Sequence, residues 1–378
     1  MAGMLTSPVA PAEWINRQQQ LDDLAVRLKS EHTIAVDTES NSLYAYQEQV
    51  CLVQFSTGNA DFLVDGLAGL DFSVLGDLFA DPGIEKIFHA AEYDVICLKR
   101  DYGFQFSNLF DTMHAARVLG MEKLSLANLL EEFFGLQLTK RFQKADWGKR
   151  PLPAAMREYA RTDTRYLIPL REKLHDLLSQ QDLLPLAQED FRRLCGVQPN
   201  HTDAPLYATV SGYHELEPQA LAVLDALCRY RDKQARALNR PLFKVIGDKA
   251  LLALVQAMPG SRSELAAVEG LSLKLATRHA EGLLEAIRSG QQQAPIHVER
   301  HKRPPQAYLN RLDALRTWRK TAGEKMKVQS DIILPRDILE AVAGHNPADA
   351  ESLRELMAEV PWRFARFGTD ILKAIKKG

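Results

Sequence analysis

Thr33-Ile34-Ala35-Val36-Asp37-Thr38-Glu39 is a short β-branched run that breaks off in two acids, and its reading decides the fold. Side chains alternate along a strand, so Asp37 and Glu39, two apart, leave the backbone on one side. The same residues in isolation also describe a strand running out into a polar turn. The next segments favour a sheet. Val50-Cys51-Leu52-Val53-Gln54-Phe55 and Asp61-Phe62-Leu63-Val64 are apolar, of strand length and separated by Thr57-Gly58-Asn59, so the three runs predict a meander. Lys86-Ile87-Phe88 and Leu109-Phe110 read as further strands, with a helix over about 91–100 and another opened by Asp111. Strands interleaved with helices predict an α/β domain, a mixed sheet with flanking helices.

Two more acids stand in informative settings. Asp94 closes His89-Ala90-Ala91-Glu92-Tyr93-Asp94 near the start of a helix, where the macrodipole favours a carboxylate. Asp163 closes Tyr159-Ala160-Arg161-Thr162-Asp163 on a helix suited to begin at Pro153, and Tyr159 and Asp163, four apart, share a face. In-line cleavage of a phosphodiester needs an activated water, charge neutralisation at the phosphate and a stabilised leaving oxygen. Two divalent ions roughly 4 Å apart supply all three. Hard cations such as Mg²⁺ or Mn²⁺ take oxygen ligands, commonly one or two carboxylates each. Asp37, Glu39, Asp94 and Asp163 together meet that demand and predict a nuclease with two metal ions per site, although each alone has a structural explanation. Tyr159, beside a ligating acid, is placed to orient the attacking water or to help take its proton.

Bulk properties bound the remainder. The chain of 378 residues has room for two or three domains. Neither a leader-like N-terminus nor a run of ~20 apolar residues is evident, so a cytoplasmic protein without a membrane association is expected. Cys51, Cys97, Cys195 and Cys228 stand singly, which argues against a zinc site or a disulfide framework. The net charge of −2 conceals an asymmetry: residues 1–218 hold 20 Lys and Arg against 31 Asp and Glu, whereas 219–378 hold 27 against 18. An acidic half repels a polyanion unless it binds cations; a basic half attracts one.

Beyond Pro205 the strand signal fades and helical spacing takes over. Two helical blocks repeat at an offset of 88: Leu227 with Leu315, Tyr230 with Trp318, Arg231 with Arg319, Ile246 with Leu334, Leu251 with Leu339 and Ile287 with Ile375. Apolar positions match best, as in two copies of one helical bundle. The expected division is a catalytic domain at 1–205, a linker at 206–217, a first helical domain at 218–292, a linker at 293–304 and a second at 305–378.

Asp37-Thr38-Glu39, Asp94 and the Tyr159…Asp163 pair resemble the three exonuclease motifs of the DEDD superfamily, tyrosine subtype. The paired bundles resemble the helicase-and-RNase-D C-terminal (HRDC) domain, and the whole arrangement is similar to the ribonuclease D family. The resemblance implies an RNase-H-like fold for the first domain and two all-α bundles after it. It also implies a hydrolase that degrades RNA from the 3′ end and releases nucleoside 5′-monophosphates, in the 3′ processing of tRNA precursors with a single-stranded tail. Asp37, Glu39, Asp94 and Asp163 are then metal ligands, and Tyr159 handles the water. A DNA-directed exonuclease and a non-catalytic RNA-binding scaffold are the alternatives.

Around this constellation, Asp111 reads as a helix N-cap or an acid supporting the ligands rather than a fifth ligand. His89 reads either as a contact to the scissile phosphate or terminal ribose, or as a structural histidine. The stretch from Lys140 to Leu152 is a basic loop with aromatics inside an otherwise acidic domain. Lys144, Trp147 and Arg150 in it are expected to bind substrate, with Trp147 either stacking on a base or anchoring the loop to the core. Arg229, Arg231, Lys233, Arg236, Arg240 and Lys244, then His301-Lys302-Arg303, then Arg316, Arg319, Lys320, Lys325 and Lys327, form a distributed basic surface for phosphates.

Overall fold

A computed structural model describes residues 11–139, 141–199, 203–298 and 303–377; Lys140 and His301-Lys302 of the basic stretches lie outside them. Six strands form one sheet: β1 (Glu13–Ile15), β2 (Thr33–Ser40), β3 (Val50–Ser56), β4 (Asp61–Asp65), β5 (Glu85–Phe88) and β6 (Leu109–Asp111), in the order β1-β4-β3-β2-β5-β6. The meander β2-β3-β4 is antiparallel, as its short turn-separated runs require, while β5 and β6 extend the sheet in parallel and β1 joins β4 in parallel. Helices α1 (Gln18–Lys29), α2 (Gly76–Ala80), α3 (Glu92–Tyr102), α4 (Thr112–Val118), α5 (Leu126–Phe134), α6 (Ala154–Arg165), α7 (Leu167–Gln180) and α8 (Leu184–Gly196) accompany it. Strand β3 is buried throughout because both of its faces are covered. On one face Val36, Val53 and Phe55 pack with Leu24 and Leu28 of α1 and Val95 and Leu98 of α3. On the other, Leu52 and Leu63 meet Met156, Tyr159 and Ala160 of α6, and Ala35 and Ile87 meet Leu167 and Leu170 of α7.

The first helical module comprises α9 (Pro218–Leu238), α10 (Leu242–Val245), α11 (Asp248–Ala257), α12 (Arg262–Ala266) and α13 (Leu273–Gln292). The second comprises α14 (Gln306–Met326), α15 (Ser330–Ile333), α16 (Arg336–His345), α17 (Ala350–Leu356) and α18 (Pro361–Ile375). The repeat extends to individual bonds. Arg231 donates to the Ile246 carbonyl at 3.3 Å, and Arg319, 88 residues on, donates to Leu334 at 3.0 Å. Tyr230 meets His279 edge-on at 5.9 Å, and Trp318 meets Phe367 in the same way at 5.8 Å. Tyr230 also lies flat enough on Gly282 that a Cβ there would enter its ring.

Described residues 11–40, 50–199 and 303–377 form one compact unit; 41–49 and 203–298 form another. The second module is thus packed with the sheet domain. Arg363 of α18 is fully buried and donates to Glu189 at 2.9 Å, to both oxygens of Asp190 at 2.9 Å and to the Ile332 carbonyl. Glu189, on α8, also accepts the Trp362 backbone N–H at the start of α18. Arg117 of α4 pairs with Asp331, and Arg193 of α8 with Asp337 and Glu359. Gly120 approaches the Lys327 carbonyl so closely, and at φ +75°, that no side chain fits there. In the other unit, residues 41–49 pack onto the first module: the Tyr46 hydroxyl donates to Asp232 at 2.6 Å, its backbone N–H donates to Asn239, and Lys244 lies over the Tyr44 ring. Among the described residues no helix is long and apolar enough to cross a membrane.

Candidate active site

Strand β2 distributes the acidic motif to two faces. Asp37 and Glu39 project to the side covered by α6, and their carboxylate oxygens lie within 4.8 Å of one another and of Asp163. Thr38 sits between them with the opposite alternation, and its hydroxyl donates to Oδ1 of Asp94 on α3 at 2.5 Å. Asp94 is 6 % exposed, and its oxygens are not among those that come within 4.8 Å of one another. A cleft of about 270 Å³ opens over the cluster, lined by Asp37, Thr38, Glu39, His89, Tyr159 and Asp163, with Ser125, Thr139 and Gln143 on its far wall.

Helix α6 is held in place by charge. Asp61, on β4 and 5 % exposed, accepts from Arg161 and Arg165 at 2.7 Å each, and Ser56 shares a hydrogen bond with Thr164. These bonds fix the turn of helix that carries Asp163 and Tyr159. Phe142 meets the Tyr159 ring edge-on at 5.8 Å, and Trp147 lies 6.2 Å from it.

Burial raises every acid of the cluster, and mutual repulsion adds to it. Asp37 is pushed up to about 7 by burial, against the Thr38 backbone N–H that lowers it. Glu39 is pushed up to about 10 by burial and then by Asp37, Asp163 and Asp94, and Asp163 to about 8 by burial and Asp37. Asp94 is also well above the usual carboxylate range, through burial and then Asp37. Oxygen donors crowded this closely and largely withdrawn from solvent have one effective way to ionise together, which is to share a cation. The donor set therefore fits a hard divalent ion: Asp37, Glu39 and Asp163 would hold it directly, with Asp94 adjoining. Burial, followed by the charges of Asp163, Glu39 and Asp37, moves the Tyr159 hydroxyl above its usual range, so it stays a neutral phenol.

Asp111 builds the turn behind the cleft. It is fully buried and accepts four backbone N–H groups: Ala90 at 3.1 Å, Ala91 at 2.7 Å, Met113 at 2.7 Å and His114 at 3.0 Å. The first two hold the bend at Ala90, φ +63°, that carries His89 to the cleft and starts α3; the last two cap α4. Burial would raise this carboxyl, but the hydrogen bond and charge of His114, with His89, outweigh it and hold Asp111 at about 2. All these bonds turn it away from a ligand's role. His89 lines the cleft with its Nδ1 bonded to the Thr112 hydroxyl at 2.9 Å, and burial lowers its pKa.

The basic loop differs from expectation. Trp147 is 1 % exposed within the cluster of Leu52, Leu63 and Met156, so it anchors the loop and has no face to offer a base. Arg150 is likewise committed: it donates to Asp65 through Nε and one terminal nitrogen, and to the carbonyls of Cys51, Trp147 and Lys149. Substrate binding by these two is corrected to a structural role, for the physical reason that a buried or fully bonded group cannot reach a ligand. Lys144 is exposed on the same loop.

Known proteins resemble this chain in sequence and in fold. A 3′-5′ exonuclease family model matches residues 12–179, and an HRDC domain model matches 220–287 and again 309–375. Ribonuclease D of Pseudomonas paraeruginosa is 28 % identical over 374 residues, covering 96 % of this chain and 97 % of that protein. The solved catalytic core of RRP6 from Trypanosoma brucei is 31 % identical, with a TM-score of 0.64 over 74 % of this chain and 80 % of that one. The chain belongs to the ribonuclease D and RRP6 family of 3′-5′ exonucleases. The structure of Escherichia coli RNase D, described as an exoribonuclease involved in structured RNA processing, aligns with a TM-score of 0.69 at 25 % identity, covering 93 % of this chain and all of that one. Against the RRP6-like proteins of Arabidopsis thaliana, the chain spans only 34 % to 47 % of the relative's length.

Several residues that line the cleft or pack beside it carried little signal in the sequence. Ser125, Thr139 and Gln143 come from a loop and a helix start without a motif, although Ser125 as the N-cap of α5 had a readable pattern. Asp61 was recognisable only as the first residue of a strand. Gln54, in the middle of an apolar run, is the register partner of Asp37.

Proposed function

We propose that this chain is a 3′-to-5′ exoribonuclease that uses two divalent ions, Mg²⁺ or Mn²⁺, to hydrolyse RNA from its 3′ end and release nucleoside 5′-monophosphates. The observation that carries this reading is the meeting of Asp37, Glu39 and Asp163 within 4.8 Å at the floor of one cleft, with Tyr159 on its wall. When bound, the ions supply neutralisation of the reacting phosphate and acidification of a water at neutral pH. The chain supplies the rest. Asp37, Glu39, Asp94 and Asp163 hold the charge in place, and the Thr38 hydroxyl fixes the Asp94 carboxylate. Tyr159, wedged by Phe142 and Trp147, orients the attacking water through its hydroxyl or helps take its proton. His89, set by Thr112 and the Asp111 turn, faces the phosphate or the terminal ribose.

The substrate class we assign is structured RNA with an unpaired 3′ tail, of which tRNA precursors are the expected case. The basic half supports it: Arg240 and Lys244 are exposed on the first module beside Phe243, which is 56 % exposed, and such cation and aromatic surfaces bind unpaired polynucleotides. Cytoplasmic location follows from the same reading.

The test uses end-labelled RNA and DNA of one sequence, with free or blocked 3′ ends, in Mg²⁺, Mn²⁺ or chelator. Stepwise release of 5′-mononucleotides from free-ended RNA is expected. Asp37→Ala and Asp163→Ala should each lose on the order of 10³-fold in turnover, equivalent to ~4 kcal/mol. Near-normal cation-dependent hydrolysis by either variant would overturn the ligand assignment, and equal cleavage of DNA would overturn the substrate class.

A further inference from the structure

Gln54 is out of place on physical grounds. It lies mid-way along the central strand β3, 0 % exposed, and neither its side-chain nitrogen nor its oxygen has a hydrogen-bond partner. Buried amides in native cores are almost always satisfied, and an apolar residue of the same size would be more stable at such a position. Its surroundings follow from the sheet register. Directly across the antiparallel β2/β3 ladder is Asp37, and across β3/β4 is Leu63. Residues opposite each other share a face, so the Gln54 side chain lies on the Asp37 side of the sheet, the side covered by α6. Two residues before it, Leu52 packs against Tyr159 and Ala160; two residues after it, Ser56 bonds to Thr164. Gln54 is thereby bracketed beneath the helical turn that carries Asp163.

Resting on the exonuclease reading above, we infer that Gln54 is a positioning residue of the cation site: its carboxamide hydrogen-bonds the Asp37 carboxylate, or a water held between the two, and so orients that acid toward a divalent ion. Three features of the position agree. A carboxamide can donate to a carboxylate without adding charge to an already acidic cluster. Asp37 stands directly across the ladder, where the Cβ atoms of facing residues lie about 4.5–5.5 Å apart, so the carboxamide is within reach of it. Rigid β-strand neighbours on both sides hold the amide in register, as support for a ligand demands.

The experiment separates this role from a packing role because the two predict opposite signs. In Gln54→Met, both polar atoms are removed with little change of length. Metal-free melting, measured in chelator, should stay level or rise by a few degrees, since an unsatisfied amide is lost. Mn²⁺ affinity, measured by isothermal titration on the full chain, should fall by roughly 10- to 100-fold. With RNA, kcat should fall at saturating Mn²⁺ by more than KM changes. Gln54→Leu serves as the second apolar variant and should behave alike. A level or raised melting temperature with Mn²⁺ affinity within twofold of the parent chain would overturn the proposal, as would a fall in melting temperature in both variants with affinity lost in step. If the parent chain binds no Mn²⁺ saturably, the cation site itself fails and takes this role with it; if the parent binds and the variants do too, only the Gln54 assignment fails.

Discussion

Replacing Arg363 with methionine should release the second helical module from the sheet domain. Its guanidinium is fully buried, as is Glu189, and Asp190 has only 11 % of its side chain exposed. Breaking a buried pair by removing one partner costs about 3–5 kcal/mol, because a charge is left behind in a dry setting, whereas removing the whole group is far milder. For a folding unit of about 250 residues, such as the one that holds these pairs, each kcal/mol moves the melting temperature by about 2–4 °C, so a drop on the order of 10 °C is expected at pH 7. The pH dependence carries a sign. Burial already holds Glu189 above the usual carboxylate range despite Arg363, and losing the arginine raises it further. The folded form then clings to a proton that the unfolded form releases above about pH 4.3, so the penalty is full at pH 7 and shrinks as pH falls toward 4. Scanning calorimetry at both pH values, with limited proteolysis to follow release of 303–377, makes the measurement. The triple variant Arg363→Met/Glu189→Gln/Asp190→Asn should recover more than half of the loss. A single variant within 2 °C of the parent, or a triple variant no more stable than the single, would refute the buried-charge argument.

Tyr159→Phe should lower kcat with little change in KM for RNA, because the hydroxyl is assigned to the water rather than to binding; a change confined to KM would contradict this. Asp111→Asn should cost about 2 kcal/mol at neutral pH, the worth of holding a carboxyl at about 2 when it titrates near 3.9 unfolded. That contribution is present above pH 4 and disappears as pH falls toward 2, so urea midpoints of parent and variant should converge in acid; parallel curves would exclude it. Mn²⁺ should raise the melting temperature more at pH 8 than at pH 6, since Asp37 and Asp163 must give up protons at about 7 and 8 to bind it. An equal gain at both pH values would argue that the ion binds elsewhere.

The sheet was legible because its strands obey simple patterns: Val50–Ser56 is a continuous apolar run and β2 to β4 are joined by recognisable turns. The edge strand Glu13–Ile15 was not legible, being three residues long and paired only with a partner nearly fifty positions away. The acids could be read because spacing on a strand or helix fixes direction, as with Asp37 and Glu39 or Tyr159 and Asp163. Trp147 and Arg150 could not, since the same letters serve a buried wall or an open surface, and only tertiary contacts with Leu63 and Asp65 distinguish the two. The helical repeat was visible at an offset of 88, but that one copy is bonded to the sheet domain depends on Glu189 and Asp190, which look like ordinary surface acids of an amphipathic helix until Arg363 is seen against them.

The long separation along the chain between those partners has a consequence for biosynthesis. Arg363 follows Asp190 by 173 residues, with the whole first helical module between them in the sequence. While a ribosome is still adding α9 to α17, α8 therefore carries two acids with no counter-charge to bury against. A sheet domain assembled in this order receives these ion pairs only once residues 303–377 have been made, long after the strands and helices that carry its acidic cluster.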